Sequence, residues 1–243
     1  RQDVERTRPH PPRVGRVSMR WNAVAHAAGL VDPTGSTRPT IFAEMSALAA
    51  ATGAVNLGQG FPDSDGPEWI REAAVQAIRD GANQYPPGLG IAALRQAIAA
   101  HQRRHYGLTW DPETEVLVTA GATEALTSAV LALAGPDDEV LTLEPFYDSH
   151  AAAIALAGAT HTTAPLIASV HGFRLDLEAL EAAITPRTRL ILINTPHNPT
   201  GTVLNRSELE AIAAAAIRAD AAIVTDEVYE HLTYDGAVHI PLA

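Results

Sequence analysis

One stretch constrains this chain more than any other: Ile191 to Gly201, read as ILINTPHNPTG, an apolar run that breaks abruptly into Asn, Pro, His and Gly. Too short for a helix and bounded by turn residues, it reads as a buried strand entering a tight polar turn. Strands ending this way deliver polar side chains to the carboxyl edge of an α/β sheet, where such sheets hold ligands. A second run, Ala222 to Val228 (AIVTDEV), ends similarly, with Asp226, Glu227 and Tyr229 at its exit.

The rest of the chain alternates between short strands and helices. Strands are expected at Val55 to Asp63, Glu115 to Thr119, Glu139 to Glu144 and Thr160 to Leu166. Helices are expected at Ile41 to Ala51, Glu68 to Asp80, Ile91 to about His105, Glu124 to Ala134 and Leu177 to Ile184. Ile70, Ala73, Ala74, Ala77 and Ile78 give the second of these one buried face. Leu94 and Ile98 continue a core stripe on the third, with Arg95, Arg103 and Arg104 facing water. Asp176 caps the last, and Asn205 with Glu208 forms a capping-box pattern ahead of a further helix from Leu209 to Ile217. Such alternation predicts an α/β fold, a mostly parallel sheet with helices on both faces. Arg1 to Arg20, rich in Arg and Pro and without apolar periodicity, is expected to be disordered, and Pro33 to Pro39 to be a linker.

Chemistry gathers at the strand exits. The small residues Ala120 to Thr123 (AGAT) leave the first N–H groups of the following helix open to an anion such as a phosphate, although Thr123 also suits an ordinary helix cap. Tyr147 follows a strand end, where a flat aromatic cofactor stacks or where an aromatic simply packs. Asn198 equally suits a turn, and Asp226 a helix cap. Together with Tyr229 they converge on one edge. Gly58 and Gly60 permit close backbone approach to a ligand, or an ordinary turn.

Composition narrows the partners. A net charge of −11 and a pI near 5.3 disfavour nucleic acid and anionic membrane surfaces, and no apolar run reaches the length of a membrane span. Without Cys there is neither a disulfide nor a thiolate metal site; no metal is expected, and a cytoplasmic setting is. All 17 basic residues are Arg, so the chain contains no lysine.

In order along roughly Thr40 to Ala243, the stretches VNLGQGFPD, NQYPPGLGIAALRQAIA, VTAGATEAL, DDEVLTLEPFYDS, NTPHNPTG and TDEVYEHL resemble the fold-type I, class I pyridoxal-phosphate aminotransferases. The likeness is greatest to the branch acting on N-succinyldiaminopimelate, methionine and kynurenine, with N-succinyldiaminopimelate the first choice of amino donor and 2-oxoglutarate the acceptor. It implies pyridoxal 5'-phosphate as cofactor, amino acid and 2-oxo acid substrates, and a homodimer. It implies that Asp226 pairs with the pyridine nitrogen, that Asn198 and Tyr229 hold the ring oxygen, and that Tyr147 stacks on the ring. Ala122 and Thr123 would hold the phosphate with Tyr85 from the neighbouring subunit, and Gly60 would meet the substrate carboxylate. The Asn198–Pro199 bond would be cis.

The resemblance also implies an organisation: residues 1–39 as a disordered or extension segment, 40–62 as the N-terminal arm of a small domain, and 63–243 as part of the cofactor-binding large domain. The family's Schiff-base lysine lies after the DEVYE motif and is absent here, so no catalytic residue is assigned. The chain is expected to be the N-terminal part of an aminotransferase and inactive alone. A cysteine-conjugate β-lyase shares the same site, and a non-enzymatic cofactor-binding module is the rival from another class. A dinucleotide-binding fold is disfavoured because no G-x-G-x-x-G opens a helix after the first strand.

Overall fold

The computed structural model describes residues 20–243, apart from Gln59, Phe61, Asp63 and His171. Five strands form one sheet: β1 (Glu139–Glu144), β2 (Thr160–Ser169), β3 (Gly172–Leu175), β4 (Thr188–Asn194) and β5 (Ala222–Asp226). Their spatial order is β3-β2-β1-β4-β5, with every pairing parallel except the β2–β3 hairpin. From β1 the chain passes to β2 on one side, then returns to place β4 on the other. The β1/β4 boundary is therefore the topological switch point, where open α/β sheets bind ligands at the strands' carboxyl ends.

The alternating side chains of β4 show how the sheet is covered on both faces. Ile191 and Ile193 pack with Leu141 and Leu143 of β1 against α7 (Leu177–Ala183) and α8 (Arg206–Ala219), through Leu180, Leu209 and Ile212. Leu190 and Leu192 point the other way, to Leu126 and Val130 of α5 (Ala122–Leu133) and Ile154 of α6 (Asp148–Ala157). Each of these fully buried aliphatic side chains contributes roughly 1.5–3 kcal/mol. The predicted caps form: Asp176 accepts from the Ala179 N–H, and Asn205 and Glu208 make a reciprocal capping box.

Several sequence expectations are corrected. Glu115 to Thr119 is not a strand, because a strand needs a ladder partner, and beyond local turn bonds this segment has a single backbone bond to another part of the chain, from Val118 N to the Leu89 carbonyl. The described residues of 55–63 form no strand either. α3 (Glu68–Arg79) has the expected periodicity, yet none of its residues is buried and Ile70 and Ile78 are exposed. On α4 (Ala92–Tyr106), Arg95 is the buried residue: it donates to the Gly90 and Pro112 carbonyls and pairs with Glu113, so its charge is satisfied inside the fold.

The expectation of disorder for residues 1–19 lies outside the described residues. Within 20–39, however, α1 (Arg20–Ala27) is helical and packs against α6, Val31 bridges Thr37, and Asp32 accepts from the backbone N–H groups of Thr34 and Ser36. This part of the expected disordered or extension segment is thus ordered by local hydrogen bonding. α2 (Ile41–Thr52) follows, capped by Thr40.

Candidate functional site

Three of the parallel strands end at the same edge, and their exits build a cleft of about 720 Å3. β4 ends at Asn194, whose side chain ties it to its neighbours. Its amide donates to the Asp226 carbonyl at 2.8 Å, and its oxygen accepts from the Asn198 N–H at 2.6 Å. The turn after it is closed by bonds from Gly201 N to the His197 carbonyl and from His197 N to the Thr202 carbonyl. Asn198–Pro199 is cis, as are Thr195–Pro196 and Glu144–Pro145. The Asn198 amide reaches the Tyr229 hydroxyl at 3.5 Å.

β5 delivers Asp226, whose side chain is only 10% exposed. One carboxylate oxygen accepts from the Val228 N–H, and the other lies 3.7 Å from Nε2 of His150. β1 leads through Pro145 to Tyr147, the residue just ahead of α6, whose ring meets His150 edge-on at 6.0 Å. Burial first, then the charges around Asp148 and Asp226, raises the Tyr147 pKa, so the group remains a neutral phenol. Burial likewise pushes His197 down to about 4 and lowers His161, with the neighbouring His150 adding to both shifts.

The other wall is the start of α5. Gly121, at φ +82°, precedes Ala122 and supplies no side-chain cap. Thr123 is therefore the second residue of the helix and not its cap. Thr123 and Ala122 line the cleft beside Gly58 and Gly60. Uncapped N–H groups and the helix dipole favour an anion there.

Of the residues singled out in the sequence, Gly60, Ala122, Thr123, Tyr147, Asn198, Asp226 and Tyr229 converge on this cleft. Tyr85 does not line it; it is 98% exposed, on the surface before α4. The sequence reading missed Asn194, His150 and His197. Asn194 is the last residue of the organising strand, and His150 stands three positions after Tyr147, one helical turn on; these were the available signals.

The donor set suits a flat, anionic, nitrogen-bearing cofactor. A nearly buried carboxylate at one wall asks for a proton donor, the open helix start at another wall accepts a phosphate, and an aromatic ring and an amide–phenol pair stand between.

This sheet is the one found in solved aminotransferase structures. The sequence profile described as aminotransferase class I and II matches residues 52–242, and the chain belongs to that family, whose members are pyridoxal-phosphate-dependent enzymes. The chain is 61% identical over 204 residues to a probable N-succinyldiaminopimelate aminotransferase of Mycobacterium tuberculosis, covering 84% of this chain and 51% of the relative. It is 44% identical over 200 residues to a methionine aminotransferase of Escherichia coli, covering 82% of this chain and 51% of that protein. The solved N-succinyldiaminopimelate aminotransferase of Mycobacterium tuberculosis superimposes with a TM-score of 0.80 at 60% identity, over 84% of this chain and 53% of that one. The chain thus spans about half the length of the curated relatives it matches. Among the described residues no helix is long and apolar enough to cross a membrane.

Proposed function

We propose that this chain forms the pyridoxal-phosphate-holding part of an aminotransferase that moves the amino group of N-succinyldiaminopimelate to 2-oxoglutarate. The observation that carries the reading is the nearly buried Asp226 carboxylate facing a cleft whose opposite wall is the uncapped start of α5. The 61% identity to the mycobacterial relative favours this donor over methionine or kynurenine.

Pyridoxal phosphate, when bound, supplies an aldehyde that condenses with an amine and a ring that withdraws electrons from the adjacent carbon. In this proposal Asp226 would keep a proton on the ring nitrogen, with His150 3.7 Å from the carboxylate. Asn198 and Tyr229 donate to the ring oxygen. Tyr147 covers one ring face and excludes water, while the Ala122 and Thr123 N–H groups hold the phosphate. The Gly60 backbone, which lines the cleft, receives the substrate carboxylate. Tyr85, fully exposed, is available to reach the phosphate of a second subunit in a homodimer. The organisation that goes with this reading makes residues 40–62 an arm of the small domain and 63–243 part of the large one, in a cytoplasmic enzyme.

The 243 residues include no lysine, and neither the always-protonated Arg nor His replaces an ε-amine in forming an imine. These residues are therefore proposed to hold the cofactor without a covalent bond and to give no turnover by themselves. The donor test therefore assays the product of the full reading frame, not these 243 residues alone, with pyridoxal phosphate, 2-oxoglutarate and four donors: succinyldiaminopimelate, methionine, kynurenine and a cysteine conjugate. Glutamate formed fastest with succinyldiaminopimelate supports the proposal. Preference for methionine or kynurenine overturns the substrate, pyruvate released from the cysteine conjugate favours a lyase, and glutamate from no donor overturns the reaction class.

A further inference from the structure

Away from the cleft, α4 and the chain leaving β5 bring three imidazoles together. His101 and His105 stand four positions apart on α4 and so share one helix face, a turn from each other. His231 comes from 130 positions beyond His101, and its Nε2 lies 2.8 Å from Nε2 of His101. The three rings pack with centroids 4.5–5.1 Å apart, and one ligand nitrogen from each falls within 4.8 Å of the others. Glu230 adds a carboxylate: Oε1 lies 3.6 Å from Nε2 of His101 and 3.7 Å from Nε2 of His231.

We propose that His101, His105 and His231 form a site for a divalent first-row transition ion, zinc foremost, with Glu230 beside it, clipping α4 to the segment after β5. Three neutral imidazoles are a donor set such ions prefer, whereas magnesium and calcium select oxygen ligands. Zinc–nitrogen bonds of about 2.0–2.1 Å in a tetrahedron set the nitrogens roughly 3.4 Å apart. The His101–His231 separation of 2.8 Å is shorter than that value and all three nitrogens lie within 4.8 Å of one another, so small side-chain rotations bring the set to it. His101 and His231 already meet nitrogen to nitrogen at 2.8 Å; an ion takes the place of that contact and engages His105 as well. His105 and His231 are exposed, which gives the ion a route in from solvent. The neighbouring cluster of Glu227, Glu230 and His239 is a weaker candidate, because His239 is buried against the Tyr106 ring and already pairs with Glu227 at 3.1 Å.

This site does not depend on the aminotransferase reading, and its test uses no activity measurement. Tag-free protein is titrated with zinc in competition with a chromophoric chelator, and separately with cobalt(II), whose visible ligand-field bands report a four-coordinate nitrogen-rich site. One equivalent of zinc is expected to bind and to raise the thermal midpoint. His105→Ala and His231→Ala are each expected to weaken binding by more than about a hundredfold, beyond what loss of an outer-shell partner costs, and to abolish the midpoint shift. His26→Ala, exposed on α1, leaves both unchanged. His105→Gln, which preserves helix propensity, gives the same reading should an alanine variant unfold. Absence of a one-equivalent site in the parent protein, or equal affinity in parent and His105→Gln, overturns the proposal.

Discussion

Nε2 of His150 lies 3.7 Å from Oδ2 of Asp226, with both side chains almost wholly removed from water, and that nitrogen has no hydrogen-bond partner. A buried polar atom left unpaired costs about 1–3 kcal/mol, and where a fold keeps one there is reason to look for a function. Here the imidazole backs the carboxylate proposed to hold the cofactor's ring nitrogen. His150→Phe keeps most of the volume and removes the orphan. It is expected to leave the thermal midpoint unchanged or higher while weakening pyridoxal phosphate binding roughly tenfold, about 1.4 kcal/mol. Calorimetry and a cofactor titration check the two halves. A lowered midpoint with unchanged affinity would assign His150 to packing.

Acid sensitivity is expected from His197. Burial holds its pKa near 4 against an ordinary value of 6.5, so between those pH values the unfolded chain binds a proton that the folded chain does not. Stability therefore falls as pH drops from 6.5 towards 4 and the effect levels off below, a loss on the order of 2–3 kcal/mol. His161, also lowered by burial, acts in the same direction. Urea unfolding at pH 7.5 and 4.5 measures the difference. His197→Gln is expected to shrink it, and an undiminished difference would place the acid sensitivity elsewhere.

Gly90 joins the loop containing Tyr85 to α4 at φ +93°, and a β-carbon there would stand 2.5 Å from Cγ2 of Val118. Gly90→Ala is expected to destabilise the fold by about 2–3 kcal/mol through this clash and the positive φ. Adding Val118→Gly, which removes both Cγ2 and the Cβ that would stand 2.6 Å away, relieves only the clash, so the double variant should recover part of the loss relative to the sum of the two single changes. Strict additivity in chemical denaturation would show that the two positions do not touch.

How much of this was legible in the sequence depended on which forces act locally. TRLILIN and EVLTLE announced themselves because strands buried on both faces are apolar runs, and Asn, Pro and Gly mark where they stop. Asp176 and Asn205 were readable because a cap is satisfied within its own turn. EVLVT carried the same apolar signal and failed as a strand, since a ladder depends on a neighbour the local sequence does not contain. Arg95 read as a solvent-facing charge, yet its partners Pro112 and Glu113 come from beyond the end of its helix. The cleft residues at strand exits were visible for the same reason as the strands. His150 and the His101–His105–His231 cluster were not, because tertiary proximity alone gives those histidines their surroundings.

The cleft at the ends of β1, β4 and β5 is proposed to hold pyridoxal phosphate through Asp226, without a covalent bond from these 243 residues. The direct measurement is a titration of the purified chain with the cofactor, followed by the circular dichroism induced in the cofactor's own absorption band, in parallel with Asp226→Ala. Expected are a saturable one-site signal that dialysis reverses, borohydride treatment that fixes no cofactor within the cleft, and an affinity about ten- to hundredfold weaker in the variant, the cost of losing a hydrogen bond to a charged group. No saturable signal, or equal affinity in Asp226→Ala, would contradict it.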